Sequence, residues 1–178
     1  MILKSLHNFI DKIQAGEVEI YNEFSLQHEL GIYLRKVLPD YKVQFERNTK
    51  FFKISNTIKR EIDIVVYNDK EKYAIELKHP RNGQYPEQMY SFIKDIRFME
   101  ELKERGFKNT YCLTLVEDSN FYKGNKADGI YAFFRTGKSI AGRICKPTGT
   151  EAQSIDIANE YNIIWEQCND YRYYILEI

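Results

Sequence analysis

The chain has 178 residues, 43% of them hydrophobic and 15% aromatic, which suits one domain with a real core and needs no staples. Its 26 basic and 26 acidic residues cancel, which excludes a global field that would draw in a polyanion; nucleic-acid binding would need a local patch. Cys112, Cys145 and Cys168 are odd in number and widely spaced, and the three histidines are scattered, so neither a disulfide framework nor a zinc site is expected.

The cysteines read as small buried hydrophobes in a reducing compartment. With no signal peptide, long apolar run or lipidation signal, the expectation is a soluble cytoplasmic protein with no membrane partner.

In chain order, Ile2, Leu3, Leu6, Phe9, Ile10 and Ile13 recur at helical spacing, and Gly16 follows as a stop. A second helix is predicted from Ser25, as N-cap, to just before Pro39, with Leu26, Leu30, Tyr33, Leu34, Val37 and Leu38 as its apolar stripe. Glu29 sits at the margin of that stripe, and an exposed helical Glu is the ordinary alternative. Tyr41–Arg47 alternates as a strand. The segment Asn48–Lys59 then mixes Lys50, Lys53 and Lys59 with Phe51, Phe52 and Ile54. Such a mixture suits either a phosphate-facing surface or an ordinary solvated connection.

Residues 61–78 are the organising stretch. The runs Ile62–Val66 and Tyr73–Leu77 have strand composition, and Asn68–Glu71 between them is turn chemistry. Counting outward from that loop sets Tyr67 opposite Lys72, Asp63 opposite Glu76 and Glu61 opposite Lys78. Ile62, Ile64, Val66, Tyr73, Ile75 and Leu77 then share one apolar face. Two carboxylates directly across a ladder, with Cβ atoms roughly 4.5–5.5 Å apart, destabilise the sheet unless something lies between them. Mg²⁺ would serve, since it uses one or two carboxylates plus waters and phosphate oxygens. Lys78, two residues beyond Glu76 on the same face, could steady a water or developing charge at phosphorus. A solvated strand face with a surface Lys78–Glu61 pair accounts for the same residues without any chemistry.

Asp63 followed by Glu76-Leu77-Lys78 resembles the PD-(D/E)xK nuclease superfamily, over roughly residues 20–117. Ile62 stands where that motif often has Pro. The resemblance implies an α/β restriction-endonuclease-like αβββαβ core, a central mixed sheet flanked by helices. Around it would lie an N-terminal helix and a C-terminal β-rich extension (118–178), all in one domain (1–178). It also implies that Asp63, Glu76 and the carbonyl of Leu77 bind Mg²⁺ or Mn²⁺ and that Lys78 positions or activates water. An acidic residue of the preceding helix completes such clusters. Glu29 fits that slot better than Glu23, which precedes the expected cap. A polar residue early in the following helix often lies near the lysine, and Gln88 takes that place, although the Gln-x-x-x-Tyr form of one subgroup is missing.

The implied substrate is DNA, with RNA a further possibility, cleaved to a 5′-phosphate and a 3′-hydroxyl in restriction, repair or mobile-element defence. Because the chain is short for an enzyme with its own reading domain, a homodimer or partner protein is expected. A non-catalytic nucleic-acid- or protein-binding module on the same scaffold is the alternative.

Past the motif, Pro86 opens a helix to about Arg105 with Met89, Phe92, Ile93, Ile96, Met99 and Leu102 as core stripe. Gln88 and Asp95 lie on one margin of it. Lys108–Val116 reads as a buried strand. From Lys123 to Lys146 six basic residues face one acid, Asp128, whereas Glu151 onward has six acids and one Arg. That asymmetry points to a nucleic-acid-facing segment or to two segments that pair with each other. Ala132–Ser139 meets a relaxed P-loop pattern, but Phe133, Phe134 and Arg135 are too bulky to wrap a phosphate. A hairpin of Ile130–Arg135 with Ser139–Ile144 is expected instead, and a closing hairpin of Tyr161–Gln167 with Tyr171–Ile178.

Overall fold

The computed structural model describes residues 1–81, 83–149 and 153–178. Helix α1 (Ile2–Gln14) buries Ile2, Leu6, Phe9, Ile10 and Ile13, the face its periodicity predicts, and Gly16 follows it at φ 72°. Helix α2 (Glu23–Val37) starts earlier than expected. Its cap is Asn22, whose Oδ1 accepts from the Ser25 N–H at 2.7 Å, while Ser25 Oγ accepts from the Asn22 N–H at 3.1 Å. This reciprocal pair satisfies two helix-end donors, so Ser25 is the third residue of the helix rather than its cap. Glu23 therefore lies within the first helical turn. Gly31 lets α2 approach the sheet, because any side chain there would run into the Phe45 ring.

Strands β1 (Lys42–Asn48), β2 (Glu61–Tyr67) and β3 (Lys72–Lys78) form an antiparallel meander. Helix α3 (Tyr85–Glu104) then crosses over to β4 (Asn109–Val116), which is parallel to β3. The β2–β3 register follows the turn as counted, with Tyr67 opposite Lys72 and Ile64 opposite Ile75. Asn68 fixes it by accepting from the N–H groups of Lys70 and Glu71.

The ladder ends at Ile64↔Ile75, so the expected cross-strand pairs Asp63–Glu76 and Glu61–Lys78 do not form. Instead Asp63 Oδ2 accepts the Leu77 N–H at 2.8 Å. The partner strand is distorted at the same level, where Glu46 sits at φ 47°. Past this irregularity Ile62 packs in the cluster under α3, rather than with Ile64, Val66, Tyr73, Ile75 and Leu77 on the α2 side. The strict two-residue alternation does not survive a break in the ladder.

The segment after β4 departs from expectation. Ile130–Arg135 is a short helix, α4, that buries Ile130, Phe133 and Phe134; their three- and four-residue spacing is helical. Strand β5 (Ile140–Cys145) pairs with β6 (Ser154–Tyr161) instead. The closing hairpin is β7 (Glu166–Cys168) and β8 (Tyr171–Glu177), turning at Asn169 (φ 52°). It is narrower than predicted, since Tyr161 belongs to β6. Nor is it an appendage: β8 pairs with β4, which gives one sheet ordered β1-β2-β3-β4-β8-β7.

The fold is thus a mixed six-stranded sheet flanked by helices. Helices α1 and α2 cover one face, and α3, α4 and the β5–β6 pair cover the other. Strand β4 is buried on both sides along almost its whole length, Thr110 and Thr114 included. Cys112 and Cys168 are buried, as expected for small apolar side chains, whereas Cys145 is exposed.

Candidate active site

At the point where the β2–β3 ladder opens, the N-terminal turn of α2 and the middle of α3 converge on the strand ends. Glu76, on β3, is buried, and its Oε1 lies 3.3 Å from the Asp63 N–H while Oε2 is bonded by the Lys59 ammonium. Lys59 Nζ also stands 2.9 Å from Asp95 Oδ1, and Lys78 Nζ stands 3.3 Å from Asp95 Oδ2. Lys78 donates in addition to the Leu77 carbonyl at 3.0 Å and lies 3.7 Å from Glu23 Oε1. The other oxygen of Glu23 accepts the His79 N–H at 2.9 Å, which ties the start of α2 to the end of β3. Asp95, like Glu76, is buried.

Beside this cluster Glu23, Phe24, Gln27, Glu46, Asp63 and Leu77 line a small cavity of about 200 Å³. Gln27 braces it, donating to Glu46 Oε1 at 2.5 Å and to the Asp63 carbonyl at 2.9 Å.

Four carboxylates (Glu23, Asp63, Glu76, Asp95) thus meet two ammonium groups (Lys59, Lys78). The surplus negative charge is felt by the acids. Burial pushes the Asp63 carboxyl up to about 6 against the pull of Lys59 and the Leu77 N–H. Glu76 is held well above the ordinary carboxylate range by burial and by repulsion from Asp63 and Asp95. Burial works against the charge on both lysines, but Asp95 together with Glu76 for Lys59, and Asp95 with Glu23 for Lys78, more than offset it. Their ammonium groups are therefore held more firmly than in water. A pocket that strains its carboxylates toward protonation while fixing two cations gains stability from any added positive charge.

Of the residues expected from sequence, Asp63, Glu76, Leu77 and Lys78 come together here. Glu29 does not. Six residues along α2 from Glu23, at about 100° each, it points to another side of the helix, where its Oε1 lies 3.7 Å from His28 Nδ1. The acidic residue that α2 brings to the cluster is Glu23. Gln88 is half-buried on α3, about 10 Å along the axis from Asp95, and Asp95 is the α3 residue that meets Lys78.

Sequence reasoning missed Glu23, Lys59 and Asp95 as site residues, though signals existed. Asn22-x-x-Ser25 would have started the helix before Glu23. Asp95 falls three residues after Phe92 and four before Met99, inside the apolar stripe where a charge needs a partner. Lys59 carried no local signal: Lys50 and Lys53 of the same segment are exposed, and only Lys59 turns inward.

The donor set fits a hard cation. Asp63 and Glu76 each bond to the other strand's backbone at this level, Leu77 adds a carbonyl beside them, and Mg²⁺ asks for only one or two carboxylates. Among the described residues no three His, Cys, Asp or Glu side chains are grouped to hold a metal by themselves, so water and phosphate oxygens would have to complete the shell. No helix among them is long and apolar enough to cross a membrane. Comparison of the chain with family models, curated proteins and solved structures returns no match.

Proposed function

We infer that this protein is a metal-dependent phosphodiesterase acting on DNA, of the PD-(D/E)xK kind, with the acidic cluster as its catalytic centre. The observation that supports it most is the convergence of Asp63, Glu76 and Lys78 at an opened strand pair, with more carboxylate than ammonium. The helix–three strands–helix–strand succession from α2 to β4, with β4 parallel to β3, agrees with the restriction-endonuclease-like core that the motif implies.

In this reading Asp63, Glu76 and the Leu77 carbonyl hold Mg²⁺ or Mn²⁺, which would supply Lewis-acid activation of phosphate and water. Lys78 keeps its proton because Asp95 and Glu23 hold it, so it acts as a fixed cation that orients the attacking water and balances charge developing on phosphate oxygens. Asp95 aims that ammonium, and Glu23 does the same while joining α2 to the strand end. Lys59 is the resident counter-ion of Glu76. For Glu76 to accept a metal, the Lys59 ammonium has to turn toward Asp95, which it already contacts.

The lysine–carboxylate pairing also favours a second reading, in which the cluster neutralises itself and the scaffold only binds a nucleic acid or protein. Cleavage of supercoiled plasmid, linear duplex and single-stranded DNA with Mg²⁺ and Mn²⁺, beside Asp63→Ala and Lys78→Ala, decides between them. Cleavage lost in both variants, each still folded by circular dichroism, is the expected result. Absence of cleavage on every substrate, with no rise in melting temperature on adding either metal, would leave the binding module.

A further inference from the structure

A cavity of about 460 Å³ shares no lining residue with the acidic cluster and is opposite to it in charge. It lies between the loop entering α4, the α4–β5 turn and the outer part of β5. Lys126, Lys138, Arg143 and Lys146 stand around it; Asp128 is the one acid of its lining, and Glu87 borders it through a side-chain hydrogen bond with Thr148. Two-thirds of the basic residues between Lys123 and Lys146 therefore gather at one concavity in a protein of zero net charge. Among the described residues no ion pair joins it to the acidic C-terminal segment (Glu151 lies outside them), although Asp156 stands opposite Arg143 in the β5–β6 ladder. Arg143 is oriented by its Nε–H, which donates to Ser154 Oγ at 3.0 Å across the β5–β6 ladder. Lys126 lies 5.1 Å over the Tyr131 ring and Lys138 lies 5.2 Å over Phe133, so aromatic faces hold two of the ammonium groups.

We propose that this basic groove binds the phosphodiester backbone of a single-stranded polynucleotide, independent of sequence. The assignment rests on the groove alone, and it extends the nuclease reading by naming the class of strand the protein holds. Cations on separate walls of a concavity clasp a narrow strand, whereas a duplex presents a broad convex surface that such walls keep out. Pro86 of α3 lines the groove and Asp95 of the same helix holds Lys78, about 14 Å further along the axis. Nine residues at about 100° each, Pro86 and Asp95 project from opposite sides of α3, so the groove is a site separate from the cluster.

The test is binding of a fluorescein-labelled oligothymidylate about 15 nucleotides long to the full chain in EDTA, followed by anisotropy over a salt series. Lys138→Ala/Arg143→Ala is expected to weaken binding at least about tenfold and to reduce the log–log salt slope by about 1.4, two contacts at roughly 0.7 each. A Lys4→Ala/Lys70→Ala control, at exposed positions away from the groove, should bind as the unmodified protein does. Cys145 lines the groove and is exposed while Cys112 and Cys168 are buried, so saturating oligonucleotide should slow its alkylation severalfold with no substitution at all.

Unchanged affinity and slope in the groove variant, or unprotected Cys145, would overturn the proposal. So would a preference for duplex of the same length, or displacement by inorganic phosphate at equal phosphate concentration. Asp63→Ala binding like the unmodified protein in EDTA, with no cleavage by the unmodified protein once Mg²⁺ or Mn²⁺ is added in excess, would overturn the nuclease reading and leave the groove standing.

Discussion

Helix α3 carries two buried carboxylates five residues apart, Asp95 and Glu100, in opposite settings. Glu100 is satisfied by fixed donors: the N–H groups of Ala158 and Asn159, the Asn159 side chain, Tyr161 Oη and Arg97. Burial pushes its carboxyl up, but the two backbone N–H groups and Arg97 prevail and hold it below the ordinary range. That carboxylate fastens β6 to the helix. Around Asp95, by contrast, Glu76 and Asp63 repel each other in a buried place, and their carboxyls are held above the ordinary range. One helix thus uses a carboxylate as a rivet at one level and as part of an over-charged pocket one turn and a half away. A fully bonded buried acid stabilises structure, and an under-compensated one stores free energy that a cation can release.

The strongest break of this comparison is chemical. Lys78→Ala should lower the cleavage rate by about 10²–10⁴-fold with the fold intact, measured by single-turnover assays and circular dichroism. Next come two stability changes of about 3 kcal/mol each. Glu100→Ala strands several donors of β6 and Arg97, and should lower the melting temperature by about 6–12 °C whether or not metal is present. Lys59→Ala removes the counter-ion of Glu76 at a similar cost, but Mg²⁺ should restore more of that loss than it adds to the unmodified protein. Equal metal effects on the two proteins would count against Glu76 as a ligand.

The pH responses should have opposite signs. Asp63 has its carboxyl raised to about 6, so the folded state holds its proton longer than the unfolded one and loses stability as pH rises through about 6. In EDTA above that pH, Asp63→Asn should therefore raise stability by about 1 kcal/mol, or about 2–4 °C. Glu100, held low, contributes stability at neutral pH that is lost as pH falls through its folded value, and Glu100→Gln should flatten that acid limb. The smallest effect is at the cap: Asn22→Ala should cost about 1 kcal/mol, and by loosening Glu23 it should slow cleavage at temperatures where the protein remains fully folded.

Much of the frame was legible locally. A two-residue side-chain period and an Asn-led turn determined the β2–β3 register, and the apolar stripes of α1, α2 and α3 announced which faces are buried. Ile130–Arg135 was misread because a run of five apolar residues before Arg135 suits helix and strand alike; its burial against α3 and its neighbours made it helix.

By itself, then, the sequence determined strands β1 to β4, the helical faces of α1 to α3 and the placing of Asp63 and Glu76-Leu77-Lys78 on neighbouring strands, since these follow from short-range stereochemistry and the order of residues. Only the tertiary structure decided that the β2–β3 ladder opens at Asp63 and that Lys59, Glu23 and Asp95 close on the gap. It likewise decided that the last hairpin joins the central sheet and that scattered lysines meet in one groove. Those contacts join residues 17 to 66 positions apart, and their free energy depends on burial and charge that no local window contains.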